Sequence, residues 1–330
     1  MSRICVDAMG GDESPEVVCE GIALALQNDP TLTVLVAGTD EVVTPFCEAT
    51  DRAEPLVASE VIGMAEHPAE AVRKKKDSSI VRGCAAVRAK EADAFFSAGS
   101  TGAVFAAATM GVGRIRGIKR PALATPLPGI GGHNTVVLDL GANADVRPES
   151  IVQFAQMGAA YSRAILNVAN PKVGLLCNGE EDTKGSELAL SYHKALVEAD
   201  CGFVGNAEGS DLLLGDFDVI VTDGFTGNVA LKTVEGTAKY ILSALKEAIA
   251  QSTRAKIGAL MLKPALGGVK DNLSGDAHGG AVLLGLKAPV FIGHGATSVK
   301  AVASGTAAAA AAVRSGLVDK ITEGLTSSAQ

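Results

Sequence analysis

The sequence predicts an α/β fold, a mainly parallel sheet with helices on both faces. Three observations predict it. Short apolar runs recur along the 330 residues, helix-like segments separate most of them, and nearly all end in loops rich in Gly, Asn, Asp, Ser and Thr. The runs are Ile4–Val6, Leu32–Ala37, Ala94–Phe96, Thr135–Leu138, Val173–Cys177, Gly202–Val204, Asp218–Val221 and Pro289–Ile292. The first helix shows the local logic: Ser14 is placed to cap it, Pro15 suits its first position, and Val18, Ile22, Ala25 and Leu26 recur on one face before Pro30. The Ala-rich segment from Val299 to Val313 reads as one helix packed through small residues.

Composition narrows the function classes. Apolar residues make up 47% and charged residues 20%, a globular balance. A net charge of -8 argues against a general nucleic-acid binder, which needs clustered Lys and Arg. The cysteines Cys5, Cys19, Cys47, Cys84, Cys177 and Cys201 are scattered, with no C-x-x-C pair and no zinc spacing, so a reduced, cytosolic chain is expected. A strand opens the chain almost at once, so no signal peptide is expected. Ala98–Gly113 and Ala301–Val313 are too short, and too rich in small or polar residues, to span a bilayer. No repeat or linker divides residues 1–330, which read as a single α/β domain.

Open α/β sheets bind ligands at the carboxyl ends of their strands. Here those ends read Asp7–Asp12, Gly38–Asp40, Ser97–Gly102, Asp139–Asn143, Asn178–Asp182, Gly205–Gly209, Asp223–Asn228 and Gly293–Thr297. Together they look like one composite polar site.

Individual motifs carry different weight. Ser97–Gly102 follows a strand and precedes an apolar helix-like run, an arrangement that suits phosphate or another oxyanion, with an ordinary capped turn as the alternative. No G-x-x-x-x-G-K-[ST] occurs, and Gly111, Gly113 and Gly117 are wrongly spaced for a dinucleotide loop. The basic run Arg73–Lys76 is either a solvated helix face or a source of phosphate ligands. Glu180–Gly185 places Lys184 just past a strand end, where three carboxylates beside one Lys form either a surface ion-pair cluster or a site whose cation neutralises an anionic reactant or polarises a carbonyl. Asn228 is a second donor for the same oxygen, or a helix cap. Among the histidines only His294 lies in a strand-end Gly loop; His67, His133, His193 and His278 read as structural or surface groups. No G-x-S-x-G elbow supports a hydrolase triad. Tyr240–Ala250 is amphipathic, and Ile257–Leu262 is apolar and flanked by Arg254, Lys256, Lys263 and Lys270; a membrane contact, a dimer contact or local core all fit.

Taken in order, these segments resemble the PlsX family of acyl-ACP:phosphate acyltransferases. The resemblance rests on Val6–Asp12 with Pro15, Arg73-x-Lys75-x-x-Ser78, Ser97–Ala103, Leu138–Asn143, Gly174–Glu181 with Lys184-Gly185, Gly205-Asn206 with Glu208 and Asp211, and Thr222–Gly236. It covers nearly the whole chain. It implies an isocitrate/isopropylmalate dehydrogenase-like fold, related to phosphotransacetylases, with a helical hairpin at about 236–275 near the interface of a homodimer. It also implies acyl carrier protein and inorganic phosphate as substrates. The product acyl phosphate would pass to a membrane glycerol-3-phosphate acyltransferase of the PlsY type. The hairpin's counterpart runs from Tyr240 to Val269, which implies peripheral contact with the inner face of the plasma membrane through Ile257, Leu260, Met261 and Leu262. Three departures stand out: Ser210 where relatives carry Arg, Gly275–His278 in place of an aromatic-containing approach to Gly279-Gly280, and Gly295-Ala-Thr297 in place of Gly-Ser-Ser.

The expected mechanism uses no cofactor, metal or covalent intermediate. Arg73, Ser97, Gly99, Ser100, Thr101 and Gly102 are expected to hold phosphate, Lys184 and Asn228 to stabilise the oxyanion, and His294 to protonate the leaving thiolate. The rival readings are a phosphotransacetylase acting on short acyl-CoA, an NAD-dependent dehydrogenase of the related fold, and a non-catalytic membrane-docking scaffold.

Overall fold

The structure, a computed structural model, describes residues 2–262 and 279–327. The first half of the chain alternates strands and helices: β1 (Ser2–Asp7), α1 (Glu16–Asn28), β2 (Leu32–Gly38), α2 (Asp40–Glu48), β3 (Ala53–Val57), α3 (Pro68–Lys74), α4 (Ser79–Arg88), β4 (Ala94–Ser97) and α5 (Thr101–Gly111). Then follow β5 (Ala122–Pro128), β6 (Asn134–Leu138), α6 (Pro148–Ile165), β7 (Val173–Leu176), α7 (Glu187–Val197), β8 (Phe203–Ala207), α8 (Asp211–Leu214), β9 (Val219–Val221) and α9 (Gly224–Ala250). Residues 253–262 form α10, and β10 (Ala281–Leu284), β11 (Val290–Ile292), α11 (Val299–Arg314) and α12 (Leu317–Ser327) complete the described chain.

One sheet of eleven strands runs in the order β3-β2-β1-β4-β11-β10-β5-β6-β9-β7-β8. Side-chain alternation divides the core between its faces. Ile4, Val6, Phe96, Val136, Leu138, Val219 and Val221 point to the face covered by α1, α6, α11 and α12. Cys5, Phe95, Val137 and Ile220 point to the face covered by α3, α4 and α5 over the first strands and by α8 and α9 over β5 and β6. Each of the eight apolar runs forms a strand. The sequence reading did not anticipate β3, β5 and β10 (Ala281–Leu284); β3 is a largely exposed edge strand containing Pro55, and β5 carries Pro126 and Pro128.

Those strands matter for direction. β10 pairs antiparallel with β11 and β5, and β5 pairs antiparallel with β6. Thus β1, β2, β4 and β11 run one way, and β6, β7, β8 and β9 run the other. The polar loops therefore leave the sheet in two groups rather than as the single set their sequence positions suggest.

Two local readings change. Ser14 does not cap α1, which starts at Glu16 with Pro15 at the cap position; its hydroxyl is drawn back to the carbonyls of Met9 and Gly11, at 3.0 Å each. The predicted apolar face of α1 is buried as expected. The Ala-rich helix α11 lies so close to the sheet and α1 that a Cβ on Gly305 would sit 2.1 Å from the Phe96 ring. No single described helix is long and apolar enough to cross a membrane.

Candidate functional site

The first loop group joins the ends of β1, β4 and β11. Its hub is Asp7, a buried carboxylate at the end of β1. It accepts the Met9 N–H at 3.1 Å and the Ser97 hydroxyl at 2.7 Å, and Ser97 Oγ in turn accepts the Gly99 N–H at 3.0 Å. Gly10 packs so tightly here that a Cβ would lie 2.6 Å from Gly99 N and 2.7 Å from Asp7 Oδ2. Backbone bonds from Asp12 to Gly295 (2.8 Å) and from Gly293 to Ser97 (2.9 Å) tie in the third loop. Burial pushes the Asp7 carboxyl above its ordinary range, against the lowering effect of its hydrogen bonds.

This geometry sorts the residues expected at phosphate. Ser97 is fully buried, and its hydroxyl shapes the loop instead of facing outward. Ser100 and Thr101 are the side chains the loop leaves accessible, at the start of α5, where Ser100 makes no side-chain cap bond and first-turn N–H groups lack helical partners. Gly102 abuts Pro68, since a Cβ there would sit 2.6 Å from the Pro68 ring. That contact sets the start of α3 beside the first turn of α5, with Arg73 exposed in the last turn of α3. The basic run divides: Lys75 is anchored to Glu66 at 2.6 Å and to the Val61 carbonyl at 2.7 Å, and Lys74 reaches Glu70 at 3.4 Å. Among the described residues Arg73 has no ion pair. His294 is exposed, and its Nδ1 accepts the Ala296 N–H at 3.2 Å, so the neutral ring carries its proton on Nε2. Thr297, 7% exposed, places Cγ2 beside Gly11, and its Oγ1 has no partner among the described residues.

The second loop group joins the ends of β6, β7, β8 and β9, and it also turns on a buried aspartate. Asp139 Oδ1 accepts the N–H groups of Leu123 (2.9 Å) and Ala142 (3.1 Å). Its Oδ2 accepts from Asn143 N (2.7 Å) and Nδ2 (2.8 Å). Burial raises this carboxyl as well. The first turn of α9 is pressed onto the loop: a Cβ on Gly227 would lie 2.0 Å from the Asp139 carbonyl oxygen. Asp223 caps α9, accepting from Thr226 N at 2.8 Å and Thr226 Oγ1 at 2.9 Å. The cap role is therefore taken, and Asn228 stands exposed in the next turn, against Gly141. Lys184 is exposed; its N–H closes a turn onto the Glu181 carbonyl at 2.9 Å, and its stem passes over Gly179. Between the Lys184 turn and the α9 start lies a cavity of about 310 Å³, lined by Cys177, Asn178, Ser186, Tyr192, Asp223 and Thr226.

The structure thus groups Lys184 with Asn228, and Arg73 with Ser97–Gly102 and His294. Sequence reasoning missed the hubs Asp7 and Asp139. Their signal was a carboxylate directly ending an apolar run, with Gly two or three residues on. The residues expected at a membrane, Ile257, Leu260, Met261 and Leu262, are all exposed on α10, Met261 at 79%. Val269, His278 and the rest of residues 263–278 lie outside the described residues.

Solved structures share this fold. A phosphotransacetylase from Streptococcus pyogenes matches with TM-score 0.62 at 16% identity, over 95% of this chain and 94% of that one. A 4-hydroxythreonine-4-phosphate dehydrogenase from Klebsiella pneumoniae matches with TM-score 0.52 at 11% identity, over 94% of this chain and 99% of that one. These matches define the class, the dehydrogenase-like α/β fold that phosphotransacetylases also use. Sequence similarity is narrower. The family described as "Fatty acid synthesis protein" matches residues 2–320. The phosphate acyltransferase of Lysinibacillus sphaericus is 46% identical over 321 residues, 97% of each chain. That of Levilactobacillus brevis is 48% identical over 305 residues, 91% of this chain and 88% of its own. The chain belongs to this phosphate acyltransferase family and is an acyltransferase.

Proposed function

We propose that the enzyme moves a long-chain fatty acyl group from an acyl carrier protein thioester onto inorganic phosphate, giving an acyl phosphate for phospholipid synthesis. The observation that carries this reading is the 46% identity to a phosphate acyltransferase over 97% of both chains. A phosphate oxygen attacks the thioester carbonyl carbon, the tetrahedral intermediate collapses, the C–S bond breaks and the thiolate takes a proton. Phosphate is already nucleophilic near neutral pH, so the protein must position it and stabilise the oxyanion, and this reading requires the two loop groups, which leave the sheet on oppositely directed strands, to face one substrate. Ser100, Thr101, the N–H groups opening α5, and Arg73 hold phosphate, while Ser97, Gly99 and Gly102 give the loop its shape. Lys184 and Asn228 receive the carbonyl oxygen, and His294 donates a hydrogen bond from Nε2–H to the leaving thiolate, which takes up the proton that the attacking phosphate releases.

The working form in this reading is a cytoplasmic homodimer held at the inner face of the plasma membrane. Ile257, Leu260, Met261 and Leu262 support that contact, because four large apolar side chains exposed on one short helix favour a lipid surface. The membrane acyltransferase of the PlsY type would take the product there.

The test is phosphate-dependent release of carrier thiol from palmitoyl carrier protein, with acetyl-CoA in parallel and hydroxylamine to trap acyl phosphate. Release from the carrier and not from acetyl-CoA is expected. Release from acetyl-CoA alone would give the enzyme phosphotransacetylase activity instead, and release from neither would overturn the reading.

A further inference from the structure

The motif Gly205-Asn206 and the histidine His193 have no part in the chemistry above, yet both meet the turn that carries Lys184. Asn206, at the end of β8, is 5% exposed. Its Nδ2 donates at 2.9 Å to the carbonyl of Glu181, the same oxygen that accepts the Lys184 N–H at 2.9 Å. Its Oδ1 lies 3.0 Å from His193 Nδ1 on α7. The opposite amide orientation would set Oδ1 against the Glu181 carbonyl, acceptor to acceptor, so the network fixes the amide and makes His193 Nδ1 the donor. His193 is held edge-on against Phe203, with ring centroids 5.1 Å apart, and its Nε2 lies 3.5 Å from Asp182 in the same turn. The Asp182 side chain is 82% exposed, so this last contact is the weakest of the set.

We infer that Asn206 and His193 are positioning residues for Lys184. They form a brace that fixes the Glu181–Lys184 turn to β8 and α7 and so fixes where the Lys184 ammonium stands. The inference rests on the reading of Lys184 as the group at the carbonyl oxygen. An exposed lysine on a loop has ample rotamer freedom of its own. Catalysis by a preorganised charge requires at least that its backbone not wander, and misplacement by about 1 Å costs on the order of 10²-fold. The buried amide supplies that constraint: it satisfies a loop carbonyl from the sheet, and it is itself held by a largely buried imidazole that packs on Phe203 of the same strand.

The experiment is a double-mutant cycle on the full-length enzyme, with Lys184→Ala, Asn206→Ala and His193→Asn, reading kcat, KM for phosphate and Tm. Asn206→Ala should lower kcat about 10- to 100-fold with KM for phosphate unchanged, and His193→Asn, which keeps a donor at the Nδ1 position, should stay within about threefold of the parent. In the Lys184→Ala background the Asn206→Ala loss should disappear, since a residue acting through Lys184 has nothing left to act on. Full additivity of the two losses would overturn the brace, as would unchanged kcat in Asn206→Ala with normal Tm. If Asn206→Ala does not fold, His193→Phe takes its place in the cycle, with the same outcomes. If Lys184→Ala alone retains normal turnover, the catalytic reading of Lys184 fails, and that result is distinct from an additive cycle.

Discussion

The two loop groups are built alike and offer different chemistry. Each is centred on an aspartate at a strand end, buried and raised above the ordinary carboxylate range by that burial. Asp7 spends its oxygens on the Met9 N–H and on the Ser97 and Ser79 hydroxyls, whereas Asp139 gathers three backbone N–H groups and the Asn143 amide. What is left accessible differs more. The first group presents hydroxyls, the first-turn N–H groups of α5 and an arginine with no ion pair among the described residues, a set suited to holding an anion. The second presents an ammonium and a carboxamide beside a cavity, a set suited to a polarised carbonyl. The lesson is that a buried carboxylate here is a device for organising a loop, and the groups proposed to react are the exposed ones.

The sharpest test of that division is kinetic. Lys184→Ala or Asn228→Ala should lower kcat by roughly 10²–10³ with KM for phosphate little changed, as expected on losing a donor that acts in the transition state. Arg73→Ala should instead raise KM for phosphate about tenfold, the size of one charge-assisted hydrogen bond of about 1.5 kcal/mol. If Arg73→Ala lowers kcat alone and Lys184→Ala raises KM alone, the roles of the two groups are exchanged.

The next test compares the hubs by stability. Asp139→Ala strands four donors, Asp7→Ala three, two of them the Ser97 and Ser79 hydroxyls, free to rotate toward other acceptors. With about 1–3 kcal/mol for each buried group left unpaired, partly offset by removing a carboxyl that dislikes burial, Asp139→Ala should cost about 3 kcal/mol or more and Asp7→Ala about 1–2 kcal/mol. Urea unfolding with a constant m-value measures both. Equal losses would show that the hubs are equivalent and that the number of donors does not matter.

Much of this was legible in the sequence, and the gaps have physical causes. Runs such as Ile4–Val6 and Asp218–Val221 gave themselves away because strands buried on both faces need continuous apolar residues. Pro126 and Pro128 hid β5, and with it the reversal of strand direction that splits the loops into two groups. Ser97 was read as a ligand because a Ser-Gly loop before a helix has that composition whichever way the hydroxyl points; its bond to Asp7 spans 90 residues and leaves no local trace. Asn206 was visible only as part of a motif, since its partners Glu181 and His193 lie on other elements.

The smallest expected effect concerns acid, and it separates the buried hubs from an aspartate of the opposite kind. Asp29, just past α1, is held down to about pH 2 chiefly by the Arg314 guanidinium at 2.5 Å, with help from Thr31. Its folded pKa is depressed, so its contribution is fully present above the ordinary carboxylate value and is lost as the pH falls through about 2. Both side chains are partly exposed, which limits the contribution to about 0.5–1 kcal/mol. Asp7 and Asp139 run the other way: their folded values are raised, so what they contribute is greatest in acid and declines as the pH rises through those values. Asp29→Asn should therefore lower stability slightly at pH 7 and flatten the acid limb below pH 4, about where the ordinary carboxylate titrates. Asp7→Asn should leave that limb in place and reduce the decline on its alkaline side. A stability–pH series of the three proteins decides it. If Asp7→Asn flattens the acid limb instead, its carboxylate is held charged in the fold, and the organising role assigned to burial would have to be replaced by one based on charge.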